Sequence, residues 1–83
     1  MRVKLLFFAT LRELAGTKSI EIEIPGDANV KTLKDRVSQD YPSLNQSMET
    51  VLVSINHEFS FDDELVPGNA EIALFPPVSG GES

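Results

Sequence analysis

The segment Pro76-Pro77-Val78-Ser79-Gly80-Gly81, followed by Glu82-Ser83, holds the residues whose types and order could do chemistry. Two prolines favour an extended polyproline path and hold the chain away from whatever precedes them. Val78 and Ser79 offer backbone to a groove. Gly80 and Gly81 carry no Cβ, so this stretch can pass through a narrow channel. No side chain here is a reagent. The chemistry would lie on a main-chain carboxylate at Gly81. Activated by a partner as an acyl-adenylate, that carboxylate becomes an electrophile able to accept sulfur or an amine. A Gly-Gly pair alone is common and carries little meaning. The diproline and the strand before it give the pair its weight.

Other candidates fall away. His57 sits alone in an expected turn, with no second ligand or nucleophile near it, and reads as a solvent-exposed loop residue. Asp62-Asp63-Glu64 lacks the spaced ligands and glycine of a calcium loop and reads as a charged loop. Ser79 has no Gly-x-Ser-x-Gly context. Arg12 and Lys18 read as ordinary surface charge. The chain has no cysteine, which excludes disulfides and thiolate metal sites. Its net charge of −6 and scattered Lys and Arg exclude a nucleic-acid track. Arg2 and Lys4 before Leu5-Leu6-Phe7-Phe8-Ala9 imitate the start of a signal peptide, but the apolar run is short and Arg12-Glu13 follow. No stretch approaches a membrane span. A cytoplasmic protein is expected.

Eighty-three residues imply one domain, with residues 1–75 as its body and 76–83 as an extended tail. Val3 to Phe8 is apolar at nearly every position and predicts a central strand covered on both faces. Thr10 to Leu14 predicts a short helical turn stopped by Gly16. Ile20, Ile22 and Ile24 alternate with Glu21 and Glu23, a half-buried strand pairing with the first as a hairpin. Asn29 can cap a helix whose stripe is Val30, Leu33, Val37 and Tyr41, stopped by Pro42. Ser43 is expected to cap a second turn carrying Leu44 and Met48. Val51, Val53 and Ile55 make another strand. Asn56-His57-Glu58 is a turn and Phe59 to Phe61 a short return strand. Leu65 is expected to tuck inward after the acidic loop. Pro67-Gly68-Asn69 is a turn, and Glu71 to Phe75 the last strand, which Pro76-Pro77 ends.

The order strand, strand, helix, strand, short strand, strand requires one helix to cover one face of a mixed sheet of about five strands. That is an α+β, β-grasp (ubiquitin-like) roll. Val3, Leu5, Phe7, Ile72 and Leu74 then belong under the helix. Leu6, Phe8, Leu52, Ala73 and Phe75 are left on the other side, where a solvated sheet should be polar. An apolar remainder there marks a partner surface, above all at Phe8 and Phe75, or else a face covered by the short helices and the Phe59 loop.

Leu5-Leu6-Phe7-Phe8-Ala9, Leu11-Arg12-Glu13, Gly16 and the run from Ile72 through Phe75-Pro76-Pro77-Val78-Ser79-Gly80-Gly81 resemble the small subunit of molybdopterin synthase, the MoaD family. The resemblance extends through Gly81. Thiamine-pathway sulfur carriers share the Gly-Gly end but are typically shorter and lack the diproline. The resemblance implies a noncatalytic carrier in a sulfurtransferase complex, with no bound cofactor. A ubiquitin-activating-like adenylyltransferase (MoeB-like) would use ATP to adenylate Gly81, and a sulfur donor would convert it to a thiocarboxylate. The tail would then enter the large synthase subunit (MoaE-like), where sulfur passes to cyclic pyranopterin monophosphate for the dithiolene that holds molybdenum. Two carriers around a dimeric large subunit, a heterotetramer, are implied. Gly80 would permit threading, Pro76, Pro77, Val78 and Ser79 would line the tail's path, and Phe8, Phe59 and Phe75 match positions at the large-subunit interface.

Two departures from the family pattern stand out. The usual Gly-Asp-Glu before the last strand is Gly68-Asn69-Ala70-Glu71 here, a turn variation. Glu82-Ser83 follow the glycine that should react. They imply trimming after Gly81, an added or gene-specific extension, or an inactive copy. A ubiquitin-like protein modifier, a sulfur carrier of another pathway (thiamine-type) and a noncatalytic interaction domain are the competing functions.

Overall fold

The computed structural model describes residues 1–77. The elements run β1 (Arg2–Phe7), α1 (Thr10–Ala15), β2 (Ser19–Glu23), α2 (Val30–Asp40), two 3₁₀ turns (Pro42–Leu44 and Ser47–Glu49), β3 (Leu52–Ile55), β4 (Glu58–Ser60) and β5 (Glu71–Phe75). The strands form one sheet in the order β2-β1-β5-β3-β4. Only β1 and β5 pair in parallel; β1–β2, β3–β4 and β3–β5 are antiparallel. This is the β-grasp roll expected from the element order.

One face of the sheet packs under α2. Val3, Leu5 and Phe7 of β1, Ile22 of β2, Val53 and Ile55 of β3, and Ile72 and Leu74 of β5 are buried against Val30, Leu33 and Val37 of the helix. Complete burial of such side chains contributes about 1.5–3 kcal/mol each. Asn29 starts α2 as its residue type dictates: Oδ1 accepts from the Thr32 amide at 2.9 Å and the Thr32 hydroxyl at 3.0 Å. Tyr41 closes the helix, its amide donating to the Val37 carbonyl at 2.8 Å, and its ring meets Phe7 edge-on at 6.4 Å. Pro42 then opens the first 3₁₀ turn.

Four expectations need correction. β1 is covered on one face only, because Val3, Leu5 and Phe7 are buried while Arg2, Lys4 and Leu6 look the other way. Ser43 caps nothing; its hydroxyl donates to the Leu14 carbonyl at 3.0 Å and ties the 3₁₀ turn to α1. The return strand is Glu58–Ser60, one residue earlier than expected. Its start is set by Asn56 and His57, at φ 51° and 74°, which form a two-residue left-handed turn that matches hairpin twist. Leu65 points to solvent at 69% exposure, and Val66 fills the core instead. An isolated bridge from Leu65 to Asn29, with the Val66 amide on the Ala28 carbonyl at 3.0 Å, fixes that parity.

Candidate functional site

β5 is the middle strand, and Phe75 is its last residue before Pro76. Pro76 lacks the amide needed to continue the ladder, so the chain must leave the sheet here. Pro76 is half-buried and Pro77 exposed. The tail is therefore rooted at the centre of the sheet, at the end where β1 also finishes.

Around that root the open sheet face is aromatic. The Phe8 amide donates to the Leu74 carbonyl at 3.2 Å, which brings Phe8 beside Phe75. Their rings stack with centroids 4.7 Å apart and planes 13° from parallel. Phe59 stands opposite Ser54 on β3 and meets Phe75 edge-on at 6.3 Å. Phe8 is 40% exposed and Phe59 68%. The structure thus brings Phe8, Phe59 and Phe75 together, with Phe8 and Phe59 open to solvent and Phe75 half-buried between them.

Sequence reasoning missed Phe61. It is 76% exposed and rims, with Leu52 and Phe59, a shallow hollow of about 270 Å³. Its two-residue spacing from Phe59 was the available signal. A second hollow of about 260 Å³ opens between Leu6, Phe8, Ser54, His57, Glu71 and Phe75. The face is sorted along the strands. Leu6, Leu52 and the phenylalanines cluster at the tail end, while Arg2, Lys4, Glu21, Glu23 and Glu71 occupy the other. A solvent-facing apolar cluster rimmed by charge is the composition of a protein-binding surface.

Elsewhere several polar side chains are tied into the fold. Asp62 holds Lys34 at 2.6 Å, and Glu64 accepts the Phe61 amide at 2.6 Å, so the acidic loop is structural. The cleft beside α2, about 310 Å³, is lined by both signs of charge and contains that Lys34–Asp62 pair. His57 is exposed, as expected, with Nε2 3.6 Å from a Glu71 carboxylate oxygen, a surface contact of little energy. Among the described residues no group of His, Cys, Asp and Glu could hold a metal ion. No helix among them is long and apolar enough to cross a membrane. Val78, Ser79, Gly80 and Gly81 lie outside the described residues.

A five-stranded mixed sheet grasping one helix defines a protein of the ubiquitin-like β-grasp class. Within that class the chain belongs to the ThiS family, which matches residues 5–81. The chain is similar to the molybdopterin synthase sulfur carrier subunit of Dictyostelium discoideum, at 37% identity over 94% of each chain. It is 36% identical to that of Escherichia coli, over 95% of this chain and 99% of the other. The crystal structure of the small archaeal modifier protein SAMP1 from Haloferax volcanii superposes with a TM-score of 0.85 at 30% identity, covering 98% of this chain and 100% of the other. The resemblance read from the motifs is borne out.

Proposed function

We propose that the chain is the sulfur carrier subunit of a molybdopterin synthase, with Gly81 as its reactive residue. The observation that carries this reading is the stack of exposed Phe8 on half-buried Phe75, directly before a diproline–diglycine sequence. It gives the carrier a handle for a partner, with Gly81 only six residues beyond Phe75 in sequence. Two curated carriers at better than one-third identity over nearly the whole chain support it.

The chemistry runs in three steps. A Gly81 carboxylate oxygen attacks the α-phosphorus of ATP on a MoeB-like adenylyltransferase, and pyrophosphate leaves. Hydrosulfide-level sulfur from the donor then attacks the acyl carbon, AMP leaves, and the product is a thiocarboxylate. The tail then threads into a MoaE-like large subunit, which supplies the catalytic side chains; the thiocarboxylate sulfur bonds to cyclic pyranopterin monophosphate, and water cleaves the acyl–sulfur bond to restore the Gly81 carboxylate. Gly80 permits threading and Pro76 to Ser79 span the approach. Phe8, Phe59 and Phe75 dock the body. The cytoplasm is the compartment of this reading. The reactive form ends at Gly81, so Glu82-Ser83 are removed first.

Intact mass after incubation with ATP, the adenylyltransferase and a sulfur donor tests the reading. The expected product is a Gly81-ended chain heavier by one sulfur less one oxygen. A Gly81-ended chain that never makes this exchange refutes it. The second reading, a protein modifier, is favoured by the similarity to the Haloferax modifier protein. It predicts adducts to lysines of other proteins that survive a denaturing gel.

A further inference from the structure

Ala9 has a backbone conformation strained for an L-residue, at φ 54° and ψ −129°. A side chain at that φ is uncommon, and the combination is the first central position of a type II′ turn, where glycine is the usual occupant. Strain of this kind persists only where the surroundings over-determine it, and it gathers at functional sites.

The surroundings are explicit. On one side, the Phe8 amide is fixed to the Leu74 carbonyl of β5 at 3.2 Å. On the other, the Leu11 side chain is buried in the core at 1% exposure, and its amide donates back to the Phe8 carbonyl at 3.1 Å. The Ala9 carbonyl accepts the Arg12 amide at 3.1 Å and starts α1. Between an outward-facing Phe8 and an inward-facing Leu11 the chain has two residues in which to reverse. An L-alanine held at positive φ has a narrow well, whereas glycine there spreads over a wide one. The Cβ of Ala9 therefore restricts the direction in which Phe8 leaves the strand.

We propose that Ala9 is a positioning residue, whose strained turn holds the Phe8 ring stacked on Phe75 so that the docking platform is formed before the partner arrives. This rests on the reading of that face as the large-subunit surface. Preorganisation of this kind raises affinity by lowering the ordering needed on binding. The class of partner is a protein with an apolar surface complementary to a flat two-ring stack.

Two variants test it, Ala9→Gly and, by chemical synthesis, Ala9→D-Ala. D-alanine favours positive φ and keeps a restricting Cβ, so it removes strain without adding freedom. In the isolated protein, the upfield ring-current shift of the Phe8 protons reports the stack, and thermal melting reports strain. Ala9→D-Ala is expected to melt higher, with the shift and the affinity for the large subunit retained. Ala9→Gly is expected to melt no lower than the parent, to lose much of the shift and to bind about fivefold more weakly. A Gly variant with the parent's ring-current shift, or with equal or tighter affinity, overturns the proposal. The shift is read without a partner, so a large subunit that ignores the parent chain would defeat the functional reading and leave this test standing.

Discussion

Replacing Phe75 by arginine separates the fold from the docking surface. Phe75 touches Phe8 face to face and Phe59 edge to face. Each aromatic contact contributes about 0.5–1.5 kcal/mol beyond its buried area. Losing both weakens the isolated domain by roughly 1–3 kcal/mol. At about 0.05–0.15 kcal/mol per residue, an 83-residue chain has roughly 4–12 kcal/mol in total. The half-buried side chain can also extend its guanidinium into water, so the variant stays folded, with a melting temperature lower by about 4–8 °C for each kcal/mol lost. The complex has no such escape. Truncating a central aromatic anchor costs about 2–4 kcal/mol, and an unpaired buried charge adds to it. Two kcal/mol is about thirtyfold in affinity, so Phe75→Arg should bind the large subunit at least about thirtyfold more weakly. Titration calorimetry with the purified large subunit, beside a melt followed by circular dichroism, measures both quantities. Phe75→Leu should fall between arginine and the parent. A folded Phe75→Arg protein whose affinity stays within about threefold of the parent refutes the assignment of this face.

Gly80→Val should leave the melting temperature unchanged and abolish sulfur delivery to the large subunit, because a branched Cβ cannot follow the glycine path; single-turnover sulfur transfer reads the loss. Asn29→Ala removes the acceptor of two hydrogen bonds at the start of α2 and should weaken the fold by about 1 kcal/mol, a melting decrease of about 4–8 °C that Asn29→Ser largely restores. Leu33→Ala empties a fully buried position beneath the helix and should cost about 2–5 kcal/mol, enough to move the urea midpoint by about 2 M or more in so small a domain.

The architecture was legible where local pattern and tertiary demand agree. Ile22 of β2 and Ile24 just after it alternate with glutamates because one side of this segment meets the core and the other meets water. Asn29 and Pro42 bracket α2 through chemistry that belongs to their own side chains. The errors share one physical origin. In Val3 to Phe8 the open face is itself apolar at Leu6 and Phe8, so the alternation of a half-covered strand is hidden. Leu65 and Val66 are adjacent and equally apolar; a bridge to Asn29, distant in sequence, decides which turns inward. For the candidate site, the face argument found Phe8 and Phe75, and the family resemblance added Phe59. Phe61 was visible as a strand residue but not as part of the face, since nothing local tells whether an edge phenylalanine is covered. The strain at Ala9 was not legible, because it is imposed by Leu74 on one side and the core pocket of Leu11 on the other.

The central placement of β5 has a mechanical consequence. Any enzyme that grips the tail and later releases it pulls on Phe75 along the strand axis. β5 is held by β1 on one side and β3 on the other, through registers that run nearly its whole length. A pull from its end therefore loads both ladders in shear, with many hydrogen bonds sharing the force, and none is peeled singly. Under such a pull the body of the domain is expected to behave as a rigid stop.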